Sequence, residues 1–204
     1  MAIEIVSWIA VGIMLATSTV LLISRDWRMS IGALAVQYVA AFWLVTRHLP
    51  FVMGSAKLIT GWMVVAALGM TRLGLPSAGD EKESAFLPRG RWFRVTLMFV
   101  VVFVTAGATP RIESAIPGLS WQVIAGSLLL IGAGVAHLGM TSDTLNVIFG
   151  LLTVLTGFEI LYAAIESSIL VTGLLAVTNL GLGIAGSYLL IAGTSPVEEI
   201  EDEA

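Results

Sequence analysis

Cysteine is absent from all 204 residues, which excludes disulfides, thiolate nucleophiles, iron-sulfur ligation and cysteine-based zinc sites. Histidine is almost as scarce. His48 and His137 stand far apart in sequence and lack the paired spacing that haem or metal sites on helices use, so neither a metal nor another cofactor is expected. Charged residues make up 12% of the chain, where a soluble domain carries about a quarter. A chain this poor in charge cannot cover itself with a polar surface. Basic patches interleaved with aromatics are also missing, so nucleic acid is not an expected partner. With no redox or hydrolytic group of its own in view, the chain is expected to act, if in an enzyme at all, as a subunit of one.

What it has instead is apolar length. Hydrophobic residues reach 57%, the mean hydropathy is +0.97, and apolar stretches of about 17 to 25 residues recur between short loops that hold nearly all the charges. Strands of a membrane barrel would alternate in polarity over about ten residues, and these runs do not. The expected fold is therefore an all-α, polytopic membrane helix bundle in a lipid bilayer. Its spans are expected near Ile5 to Ser24, Ser30 to Thr46, Phe51 to Leu73, Phe93 to Thr109, Trp121 to Met140, Thr144 to Ile165 and Ser168 to Ala192. The fourth is barely long enough, and every proline, Pro110 included, is expected outside a helix interior.

The one long connection divides the chain. Residues 1–75 form a first three-helix lobe, 76–92 a loop, 93–109 a linking span, 121–193 a second three-helix lobe and 194–204 an acidic tail. Four crossings separate the start of one trio from the start of the other, so the trios, if related, form a parallel repeat. One side of the bilayer collects Arg25, Arg28, Arg72, Lys82, Arg89, Arg91 and Arg94, and the other only Arg47 and Arg111. The positive-inside bias puts the first side and the acidic tail in the cytoplasm and the N-terminus outside, most simply in a prokaryotic cytoplasmic membrane. No basic n-region precedes the first apolar run, so that span is expected to remain.

Charge inside the spans is the exception that carries information. Glu159 lies in the run from Leu151 to Ile165 with no other charged residue, and a charge at a membrane-helix centre costs about 2.5 to 3.5 kcal/mol on insertion scales. Two readings stay open: a protonated carboxyl that joins helices, or a group on a proton or ion path. Thr156, Tyr162, Ala163 and Glu166 share its helical face, although Glu166 lies near the span's outer end, where an interfacial role suffices. Lys57, flanked by Gly54 and Gly61, either snorkels to the interface or is buried and functional. His137 sits near the cytoplasmic end of the fifth span, where it is an interfacial residue or a proton shuttle. Gln37 and Asn179 are expected to hydrogen-bond between helices, and the glycines at 126, 132, 134, 181, 183 and 186 to admit close helix approach.

The segment Thr156-Gly-Phe-Glu-Ile-Leu-Tyr-Ala-Ala164 resembles the Gly-Leu-Glu-Ile/Leu-Met-x-Asn-Ala motif on the second helix of the K subunit (chain 4L) of complex I and its antiporter relatives. Ala176-Val-Thr-Asn-Leu-Gly-Leu-Gly-Ile-Ala185 is similar to the Ala-Ala-Glu-Ala-x-Ile-Gly-Leu-Ala segment of that subunit's third helix. A seven-span chain with a K-like second half also resembles membrane component E of hydrogenase-4-type complexes, where a lysine within a helix is comparable to the stretch Ser55-Ala-Lys-Leu-Ile-Thr60. The resemblance implies a membrane-arm subunit of a complex I-like, hydrogenase-like or cation/proton antiporter-like assembly, with antiporter-like subunits as partners. It assigns Glu159 as the protonatable intramembrane carboxyl; Lys57, His137, Glu166 and Asn179 stand beside it as further proton- or ion-pathway candidates. Asn179 stands where the family's second glutamate is expected, and an amide releases no proton at physiological pH. The alternatives are a free-standing secondary transporter in which Glu159 and Lys57 line one cavity, and a scaffold subunit without flux.

Overall fold

The computed structural model describes residues 2–24, 26–75, 90–116, 118–166 and 168–193. The acidic tail and residues 76–89 of the long connection lie outside the described residues. Seven helices follow one another there, with no strand among the described residues: α1 (Ala2–Ile23), α2 (Trp27–Val45), α3 (Phe51–Gly74), α4 (Arg91–Ala115), α5 (Trp121–Met140), α6 (Thr144–Ile165) and α7 (Ile169–Ala192). All seven are long and apolar enough to cross a membrane. The chain is an all-helical integral membrane protein. Short connections reverse its direction from α1 to α3 and from α4 to α7, and with α4 starting beside the end of α1, helices α1, α3, α5 and α7 start at one face of the bundle, called here the first face, and end at the second.

Local chemistry sets the helix starts. Asp26 caps α2 by accepting a hydrogen bond from the Arg28 amide at 2.9 Å, and Asp143 caps α6 by accepting from the Asn146 amide at 3.2 Å. Arginines fasten α1 at both ends: Arg47 donates to the Ser7 hydroxyl at 3.0 Å, and Arg94 donates to the Leu22 carbonyl at 2.8 Å. The second bond places the start of α4 at the second face.

The fourth span departs from its expected bounds. It runs to Ala115, 25 residues in all, and Pro110 lies inside it. The ring removes one amide donor to the carbonyl of Ala106, yet its fixed φ is helical and Arg111 to Ala115 continue the turn, a tolerance that bundled membrane helices allow. Proline was a poor stop signal here because the residues after it still favour a helix.

Packing forms a ladder. Within the first trio α1 lies on α2 and α2 on α3; within the second, α5 lies on α6 and α6 on α7; across them α1 packs on α5, α2 on α6 and α3 on α7. Each helix thus meets its own counterpart. A two-fold axis between the middle helices would instead set α1 against α7. Helix α4 closes one end of the ladder against α5 and α1.

Glycine makes the closest helix contact, within the second trio. A Cβ on Gly157 would lie 2.7 Å from the Ser127 carbonyl oxygen, and one on Gly134 would lie 2.8 Å from that of Gly150, so α5 and α6 approach backbone to backbone. Gly183 and Gly186 meet Val64 and Ile148, but Gly181 faces open space and contributes nothing to packing. Two apolar clusters fill the interior. One gathers Met14, Leu44, Leu130 and Ile160, the other Leu34, Val64, Phe149 and Leu152. On α6 the change from one cluster to the other falls between Leu152 and Ile160, the stretch that contains Thr156 and Glu159.

Candidate functional site

Helices α3 and α6 run in opposite directions, and each brings one charge to the same depth. Lys57 is six residues from the start of α3 and Glu159 six residues from the end of α6, so both lie roughly 9 Å from the first-face ends of their helices. They form an ion pair through Nζ and Oε2. Lys57 is 9% exposed and Glu159 3%, so the pair is enclosed and the lysine does not snorkel. Desolvation of two such groups is offset only by close pairing and further hydrogen bonds. The remaining carboxylate oxygen, Oε1, has no hydrogen-bond partner.

A second polar pair stands beside the first. The Tyr38 hydroxyl on α2 donates to Oδ1 of Asn179 on α7 at 2.9 Å, with both residues buried. Gly61 makes this possible, because a Cβ there would sit 2.5 Å from the tyrosine ring. Four helices from both trios therefore supply one residue each. Tyr38, Lys57, Thr156 and Glu159 line a cavity of about 10 Å³, which Ala41, Phe42, Val45, Leu58 and Ile160 complete. That volume suits a single water. Thr156 spends its own hydroxyl on the Leu152 carbonyl at 2.7 Å, leaving its oxygen as an acceptor.

The other sequence candidates fall elsewhere. His137 is buried in the last turn of α5, roughly 24 Å along that helix from its first-face start, and lies near Arg94 and the Asn146 backbone instead of the ion pair. Glu166 is the exposed C-cap of α6, its amide bonded to the Tyr162 carbonyl, outside the cavity. Gln37 was expected to bridge helices as Asn179 does, yet both polar atoms of its side chain are buried without a partner. Tyr38 is the residue that sequence reasoning missed. Its one signal was a hydroxyl next to Gln37 in a helix otherwise short of polar groups.

Chemically, the site holds an acid, a base, a bridged hydroxyl and room for one small polar molecule, between continuous helices. It contains no cluster of three metal-ligating side chains among the described residues. The fold and site together define a seven-helix integral membrane protein with a buried charge pair. No family model matches the chain, and neither a curated protein nor a solved structure does.

Proposed function

We propose that the protein is a membrane-arm subunit of a complex I-like, hydrogenase-like or cation/proton antiporter-like assembly, in which Glu159 exchanges protons as part of proton or cation translocation. The observation that carries the reading is the enclosed Lys57–Glu159 pair with one carboxylate oxygen left open beside a water-sized cavity. Buried ionisable groups inside membrane spans mark ion and proton paths more often than they mark structure. The likeness of residues 156–164 to the K-subunit motif adds support. Where that family places a second glutamate this chain has Asn179, already bound to Tyr38, so the charge that answers Glu159 within this subunit is Lys57.

In this mechanism a proton arriving at Oε1 cancels the carboxylate's charge and loosens its hold on the ammonium. Lys57 then swings toward the first face, which its four-carbon stem brings within reach. Loss of the proton restores the pair. The first face is the outer one, with the N-terminus outside and the C-terminus cytoplasmic in a prokaryotic cytoplasmic membrane, as the basic residues divide. Neither electron transfer nor bond cleavage is assigned to this chain.

The test has two stages. Purification from membranes in mild detergent identifies the partner subunits, with antiporter-like proteins expected among them. Glu159→Gln is then expected to leave the assembly intact while its translocation falls by about 10²-fold or more, as loss of a proton-transfer group does. Unchanged translocation would make the carboxyl structural and the protein a scaffold. A free-standing transporter is the second reading, favoured by the one cavity that Glu159 and Lys57 share. Flux through the purified chain alone in liposomes would establish it in place of the first.

A further inference from the structure

Three buried polar side chains take no part in the Lys57–Glu159 site. Both amide atoms of Gln37, the Ser18 hydroxyl and Nε2 of His137 have no hydrogen-bond partner, although the residues are only 1%, 3% and 7% exposed. Interior polar atoms are as a rule satisfied by protein or by internal water, and here protein does not supply the partner.

Helical register puts the three on faces that converge at one crossing. Their helices cross at Gly126, where a Cβ would lie 2.7 Å from Leu44 of α2, 3.3 Å from Met14 and 3.5 Å from Val11 of α1. A helix face repeats after seven residues and again, nearly, after eleven. Gln37 is seven residues from Leu44, Ser18 seven from Val11 and His137 eleven from Gly126, each in the direction of the second face. Gln37 and Ser18 therefore share a depth roughly 10 Å beyond the crossing, and His137 lies roughly 6 Å further on. Tyr38 follows Gln37 directly and borders the Glu159 cavity.

We propose that Ser18, Gln37 and His137 line an internal water-binding channel that leads from the Tyr38 side of the charge pair toward the second face. The ligand is water. An amide, a hydroxyl and an imidazole each both donate and accept, which suits a file of waters. Carriage of protons along this file rests on the function proposed above; the water itself does not.

The absence of cysteine makes the test clean, because a single introduced thiol is the only one in the chain. Ser18→Cys and Gln37→Cys are prepared in the full-length protein in native membranes, with Met14→Cys as the apolar control on the same interface. Silver ion is the probe, read as protection from maleimide labelling after denaturation. A thiol reacts as its thiolate, which forms beside water and not in a dry core, so the two test positions are expected to react on the order of tenfold faster than position 14. Reaction at both no faster than at position 14 overturns the channel. Ser18→Cys changes one atom and keeps the test decisive should Gln37→Cys fail to fold. Since the readout involves no translocation, a dry result leaves the Glu159→Gln experiment to judge the proposed function. A wet result with silent Glu159→Gln keeps the channel and removes its protons.

Discussion

An ammonium and a carboxylate withdrawn from water each lose hydration that only a close partner offsets, so removing one of them is worse than removing both. Lys57→Met leaves the Glu159 charge enclosed and alone. The expected cost is about 3 to 5 kcal/mol, and the double variant Lys57→Met/Glu159→Gln should regain much of it. Thermal unfolding in detergent measures both, and equal losses for the single and double variants would mean that the pair is not coupled. Glu159 was legible in the sequence because its cost stands out against an apolar run. The pairing was not. Sequence gives a residue's depth along its helix, but the partner on another helix depends on azimuth and on which helices meet, and those are decided by packing. Tyr38 escaped notice for the same reason: its value comes from Asn179, 141 residues away.

Helix bounds were mostly readable, since length and apolarity decide them, and α5 and α6 run as expected from Trp121 to Met140 and from Thr144 to Ile165. Proline misled at α4, where the backbone beyond Pro110 keeps its helical bonds. Glycine content marked the packing helices without telling which glycine touches what. Gly157 and Gly181 make the contrast measurable. Gly157→Val drives a branched side chain into the Ser127 carbonyl at the tightest helix crossing, and overpacking there is expected to cost about 1 to 3 kcal/mol or to abolish assembly. Gly181→Ala meets open space and should stay within about 0.5 kcal/mol of the parent. Detergent-solubilised yield and melting temperature separate the two, and similar losses would refute the close approach of α5 and α6.

Across the molecule, two rows of three helices face one another rung by rung, and the parallel sense of the trios follows from the odd number of spans in each plus the linking helix. The count of spans was legible; the ladder was not, because apolar faces alone do not say which helix they cover. If basic residues orient the bundle as the positive-inside bias requires, a tag at the N-terminus is expected to be digested by protease added to intact cells, while one at the C-terminus is spared. The reverse pattern would invert the direction assigned to Glu159 and Lys57.

The ladder also sets an order of events in biosynthesis. Lys57 belongs to the first row and Glu159 to the second, so about a hundred residues must be made after the lysine enters the bilayer before its counter-charge exists. At about 5 to 20 residues per second that is a wait of about 5 to 20 s. Its depth of roughly 9 Å from the helix end makes the wait tolerable, because the stem can hold the ammonium at the headgroups until α6 arrives. The position that lets Lys57 survive as an unfinished chain is then the one from which, once α6 is in place, it is drawn inward and the two rows are locked together.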